Sequence, residues 1–261
     1  MPPSAPTDEP RPALRCLPGQ MPVSTGPTSL AFMSTQLWWV NPDTFSASPA
    51  ALALLSEQER QQHQRFIPPK KRHEYLVTRV LVRTVLGRAL GVAPQALQFE
   101  NNAWGRPALP PQAPLHFNVS HTEGLVLCLL SPNPEIGVDT ERLARAPDLL
   151  ALAPHVFAPQ ELSNLAALPA NEQAHRAVVL WTLKESYIKA RGMGLALALD
   201  GFAFRFDADQ IRLEVAPALQ DDGARWQFQT QMLGPHCIST AQAGSFNDSS
   251  GIVVENWALS A

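Results

Sequence analysis

Trp181-Thr182-Leu183-Lys184-Glu185-Ser186-Tyr187-Ile188-Lys189-Ala190 closes a helical pattern that begins near Asn171 and stops at Gly192. Val178, Trp181, Glu185 and Ile188 recur at spacings of three, four and three, which is one stripe of an α-helix. The stripe is apolar except for Glu185. A carboxylate buried on such a stripe costs on the order of several kcal/mol unless it is paired or bound to metal. Lys189, four residues on, could pair with it along the helix without any functional consequence. Lys184 precedes Glu185 and points about 100° away round the helix.

Upstream of this helix, Ile136-Gly137-Val138-Asp139-Thr140-Glu141 reads as a short strand after a Pro-Asn-Pro break. Side chains two apart on a strand share a face, so Asp139 and Glu141 lie together and repel unless a cation joins them. With Glu185 they would form an all-oxygen site, which suits a hard cation such as Mg²⁺ and phosphate-bearing substrates. Phe117-Asn118-Val119-Ser120-His121 ends another strand, where Ser120 and His121 could donate to phosphate or simply close a turn. A nucleophilic Ser–His pair is disfavoured, because neighbours on a strand point apart and no GxSxG elbow is present. Neither a Walker-type loop nor GxGxxG occurs.

Working outward, the pattern predicts a strand at Gln36 to Val40 and a helical segment from Pro49 to Phe66 with Ser56 as a cap. A longer helix spans Lys70 to Leu90 and ends at Gly91. Arg72, Arg79 and Arg83 share a stripe of that helix, either as a solvated or salt-bridged face or as a surface that receives phosphates. Asn101 to Pro107 forms a turn. Strands follow at Leu115 to Ser120 and Leu125 to Leu130, the second too apolar to face water. Phe202 to Phe206, Ile211 to Val215, Trp226 to Gln231 and His236 to Ala241 read as strands of a second sheet. Strands and a helix occur twice, so the fold class is α+β, in two comparable halves. Residues 1–30 form a flexible Pro-rich tail, 31–131 the first half, 132–243 the second and 244–261 a C-terminal tail.

Composition sets limits. The 261 residues are 45% hydrophobic, enough for a substantial core, and the net charge of −3 provides no general attraction to nucleic acid. No apolar run spans a membrane, and the start resembles no signal peptide. Cys16, Cys128 and Cys237 are odd in number and far apart, so a cytoplasmic protein with reduced thiols is expected.

Four segments occur in the order of a known family: Trp104-Gly105-Arg106-Pro107, Phe117 to His121, Ile136 to Glu141, and Trp181 to Ala190 followed by Gly192 and Gly194. Through them the chain resembles the 4′-phosphopantetheinyl transferases of the surfactin-synthesis type. The resemblance implies a pseudo-dimer: each half would be a small antiparallel sheet packed on a long helix, with coenzyme A in the cleft between. It implies transfer of 4′-phosphopantetheine from coenzyme A to a serine of an apo carrier protein, with adenosine 3′,5′-bisphosphate leaving.

Asp139, Glu141 and Glu185 would hold Mg²⁺, and Glu185 or a metal-bound water would act as base, with Lys189 as the second catalytic residue. Lys189 and Lys184 would neutralise phosphate charge. Asn118, Ser120 and His121 would touch coenzyme A, and Gly105, Arg106 and Pro107 would line its nucleotide side. Arg106 stands where the family commonly has Lys, and its fork suits phosphate. Glu161 matches a family acidic position. Glu59 and Gln62 stand where the family often has basic residues for the 3′-phosphate, and Arg60, Arg65 or Lys70 would substitute; Arg79 is a further candidate contact to coenzyme A. The carrier could serve fatty-acid, polyketide, nonribosomal-peptide or lysine synthesis, and a monomer is expected. The alternatives are a non-catalytic homologue that binds coenzyme A or carriers, and a metal-dependent phosphate-ester hydrolase.

Overall fold

The computed structural model describes residues 34–102, 105–194, 197–207, 210–244 and 253–256. The predicted N-terminal tail, Cys16 and Trp104 lie outside them. The first half runs β1 (Gln36–Val40), α1 (Pro49–Ala53), α2 (Glu57–Arg65), α3 (Pro69–Leu90), β2 (Glu100–Asn101), β3 (Pro107–Ala108), β4 (His116–Thr122) and β5 (Leu125–Ser131). The second repeats that order: β6 (Ile136–Arg142), α4 (Ala146–Val156), α5 (Pro159–Ala166), α6 (Ala170–Arg191), β7 (Phe202–Asp207), β8 (Gln210–Val215), β9 (Trp226–Leu233) and β10 (His236–Ala243). Each half is a strand, three helices, a small hairpin and a larger hairpin whose last strand pairs antiparallel with the first. The sheets are accordingly β1-β5-β4 and β6-β10-β9.

The local reasons are readable. Helices α3 and α6 have 22 residues each and end at Gly91 and Gly192, both in the left-handed region, where a glycine is least strained. Strand β5 is buried along its whole length. Val126, Cys128 and Leu130 join the first-half core under α3, while Leu125, Leu127 and Leu129 join Leu37, Ile136, Val138 and Ile238. That second cluster draws on both sheets and fastens the halves together. The second-half core centres on Tyr187, ringed by Phe202, Trp226 and Phe228.

Three expectations need correction. Pro49 to Phe66 is two helices, because Ser56 and Glu59 form a reciprocal capping box that starts α2 afresh. The second sheet is not built from the four strands after α6. Strands β9 and β10 pair with β6, and β7–β8 stands apart as its own hairpin. Within the predicted C-terminal tail, β11 (Val253–Asn256) pairs in parallel with the outer edge of β1. Among the described residues no helix is long and apolar enough to cross a membrane.

Candidate active site

Strands β4 and β6 lie side by side without a backbone ladder. Side chains from alternate positions of β4 make the seam. Asn118 Oδ1 accepts from Val138 N at 2.8 Å, Ser120 Oγ accepts from Thr140 N at 3.3 Å, and Thr122 Oγ1 donates to Glu141 Oε1 at 2.9 Å. Ser120 Oγ also donates to Asp139 Oδ1 at 2.8 Å. Helix α6 rests on the other side of β6. A Cβ at Gly137 would lie 2.0 Å from the Ser186 carbonyl oxygen, so only glycine permits this approach.

The close approach puts α6 beside the acidic strand. Lys189 Nζ donates to Asp139 Oδ1 at 2.6 Å, to Ser120 Oγ at 2.9 Å and to the Val138 carbonyl at 3.2 Å. It does not pair with Glu185, the helical alternative. The Glu185 carboxylate is half-buried and makes no hydrogen bond or ion pair with the described residues. Burial, then the charge of Asp139, raises its pKa, and Lys189 only partly offsets this. Glu141 is held differently, accepting from Thr122 Oγ1, from Arg142 N at 2.8 Å and from Arg145 Nη1 at 3.3 Å.

Glu185 and Lys189 open onto a cleft of about 360 Å³. Gly105, Arg106 and Pro107 line it together with Phe117, Asn118 and Val119 of β4 and with Ile188, Gly192 and Gly194 at and beyond the end of α6. Ser120 lies behind Lys189. His121 is exposed on the opposite face of β4 from Ser120. Partial desolvation, with Lys71 and Lys189 nearby, holds its imidazole below the ordinary value against the pull of Glu74 and Asp139.

Other predicted site residues lie elsewhere. Lys184 does not reach the cleft. It is fully buried, 2.8 Å from Glu161, and donates to the Leu199 and Phe202 carbonyls at 2.7 Å each. Glu161 in turn accepts from Ala158 N and Phe204 N, so this pair secures α5 and β7 to α6. Its position off the Glu185 stripe already turns Lys184 toward the core. Arg106 lines the cleft, but its guanidinium faces three carbonyls: Lys189 at 2.6 Å, and Phe117 and Ile136 at 3.1 Å each. The expected phosphate fork is therefore engaged inside the protein.

Arg60, Arg65 and Arg79 do not line the cleft. Arg60 binds Glu57 and the Leu55 carbonyl, Arg65 is exposed in the last turn of α2, and Arg79 lies over the Tyr75 ring. Arg83 is buried against Glu59, so Glu59 serves the first-half core. Sequence reasoning missed Thr122 and Asn102. The alternation Asn118-x-Ser120-x-Thr122 carries the signal for the first.

Among the described residues, no three His, Cys, Asp or Glu side chains are grouped closely enough to cage a cation as they stand. The donor chemistry nevertheless fits one. The charge of Asp139 adds to the cost of ionising Glu185, Glu185 has no partner among the described residues, and the hard oxygens are those that Mg²⁺ takes.

The family model for the 4′-phosphopantetheinyl transferase superfamily matches residues 135–241, and that for the N-terminal part of a 4′-phosphopantetheinyl transferase matches 38–132. The chain is 34% identical over 165 residues to the 4′-phosphopantetheinyl transferase Sfp of Bacillus subtilis (strain 168), covering 63% of this chain and 72% of the relative. It is 30% identical over 226 residues to the 4′-phosphopantetheinyl transferase HetI of a Nostoc species, covering 84% and 92%. The chain belongs to the 4′-phosphopantetheinyl transferase superfamily. Among solved structures, the holo-[acyl-carrier-protein] synthase of Neisseria meningitidis overlays 43% of this chain and 99% of its own, with 19% identity and a TM-score of 0.38.

Proposed function

We propose that this transferase moves the 4′-phosphopantetheine group of coenzyme A onto a serine of an apo carrier protein, and that Asp139, Glu141 and Glu185 serve it through Mg²⁺. Membership of the family supports the reaction. The observation that carries the site is the lone Glu185 carboxylate, which opens onto the cleft beside the Lys189–Asp139 pair. Phosphoryl transfer asks a protein mainly to position groups and neutralise charge.

Each residue has a task in that reaction. The serine oxygen forms a bond to the β-phosphorus, and the bond from that phosphorus to the bridging oxygen breaks. Adenosine 3′,5′-bisphosphate departs with the bond's electron pair. The raised pKa of Glu185 suits it to accept the serine proton. Lys189 offers an ammonium to phosphate oxygens from the edge of β6. Asn118 and Ser120 keep that edge in place. A bound Mg²⁺ would supply further neutralisation of the pyrophosphate. Cytoplasmic location and action as a monomer belong to the same proposal.

The test is label transfer from coenzyme A to apo carriers of the acyl, peptidyl and aryl classes, read by mass spectrometry. Wild type should modify at least one class, a chelator should stop the reaction, and Glu185→Gln should abolish it. Full activity in that variant would remove Glu185 from the site. Consumption of coenzyme A without a carrier would favour the hydrolase instead.

A further inference from the structure

Arg106 has no carboxylate partner among the described residues, yet most of it is buried. Three carbonyls from three different elements surround its guanidinium: Phe117 of β4, Ile136 of β6 and Lys189 of α6. The last belongs to the final turn of α6, where the helix dipole favours a cation; that carbonyl also accepts from Gly192 N at 3.1 Å. Asn102 completes the contact. Its Oδ1 accepts from Arg106 N at 2.9 Å and its Nδ2 donates to the Gly192 carbonyl at 3.0 Å. Gly192 lacks the Cβ that would stand 3.3 Å from Asn102 Nδ2 and 3.7 Å from Arg106 Nη1. A loop of the first half thus closes over the end of the second half's long helix, and the bonded residue on that helix is Lys189.

We propose that Arg106, with Asn102, is a positioning residue that fixes the last turn of α6, and with it Lys189, relative to the cleft, and that it does not ligate phosphate. The planar fork suits this work, since Lys could not reach three divergent carbonyls from one nitrogen. Its kinetic arm rests on the transferase reading. Its structural arm does not.

Arg106→Met keeps the stem and removes the donors. Arg106→Lys keeps the charge, and Asn102→Ala loosens the loop while sparing the guanidinium. The kinetic arm compares coenzyme A with coenzyme A lacking its 3′-phosphate. For Arg106→Met, kcat should fall by between about ten- and a hundredfold on both substrates alike, with the ratio of the two KM values unchanged. Arg106→Lys should recover only part of the loss, and Asn102→Ala should show a smaller fall of the same kind.

A defect confined to KM for the 3′-phosphorylated substrate, or an unchanged kcat in folded Arg106→Met, overturns the proposal in favour of a phosphate contact or no role. If Arg106→Met does not fold, Asn102→Ala decides by the same criteria. Hydrogen exchange over residues 186–194 should quicken in each folded variant relative to wild type. Unchanged exchange overturns the proposal whether or not turnover is seen. A wild-type protein without turnover would instead refute the transferase reading, leaving exchange to judge the clamp.

Discussion

Glu185 shows how one side chain reports on its site. Its carboxyl is held above the ordinary value of 4.5 by burial first and Asp139 second. An acid raised in the folded state loses stability as pH climbs from its unfolded value through its folded one. Glu185→Gln removes that loss. In metal-free protein, thermal unfolding should show the variant gaining on wild type across that window, with a constant advantage above it. Mg²⁺ should close the gap by stabilising wild type alone. A variant no more stable than wild type at neutral pH would mean that the site does not strain Glu185. Sequence pattern exposed this residue because a charge on an apolar stripe is anomalous wherever it falls. Lys184 and Arg106 were harder to read. Long side chains choose partners by reach, and Glu161 and the Ile136 carbonyl are brought near only by the fold.

At the scale of elements, α6 is set by what holds its two sides. On the β6 side the constraint is Gly137. Gly137→Ala would drive a methyl group into the Ser186 carbonyl and to 2.6 Å from Ala190 N, both backbone. The helix must then lift, which should cost about 3 kcal/mol or more and lower kcat roughly a hundredfold as Lys189 leaves Asp139. Denaturant titration and the carrier assay check the two effects, and a variant retaining both would show that α6 can shift freely.

On the far side Asp221 accepts from Tyr187 Oη, Arg191 Nη1 and Arg225 Nε at 2.7 Å each, and from Trp226 Nε1 at 2.9 Å. Burial alone would raise its pKa. The donors of Tyr187, Arg225 and Trp226 and the charge of Arg191 outweigh it and bring it to about 2. A depressed acid stabilises above its unfolded value and loses that contribution as pH falls through the folded one. Asp221→Asn should therefore cost about 2 kcal/mol at neutral pH, with the deficit shrinking from about pH 5 downward. Melting curves of both proteins across that range test it, and a pH-independent deficit would point to lost packing alone. The long helices α3 and α6 were legible, since period and glycine stops are local signals, whereas α4 and α5 were not predicted. The Asp221 network was not, because its donors come from separate elements.

The whole molecule carries its own internal pair: two halves of one topology, fastened by the leucine-rich cluster of Leu125, Leu127 and Leu129 and by the side-chain seam between β4 and β6. A coarse recurrence of strands and a helix was visible in the sequence, whereas the three-helix order of each half and β11 were not. Four residues pairing in parallel with a strand near the other end of the chain leave no local periodicity to detect. That strand has a consequence for assembly. The two halves already pack on one another and β11 covers the outer edge of β1, so this chain should elute from gel filtration as a monomer. Removing residues 245–261 takes β11 away and bares the outer edge of β1, a row of unpaired backbone donors and acceptors that invites another chain. The truncated protein should self-associate with rising concentration, seen by light scattering, while its second-half core still melts cooperatively. A truncated chain that stays monomeric at every concentration would show that β11 does not guard this edge.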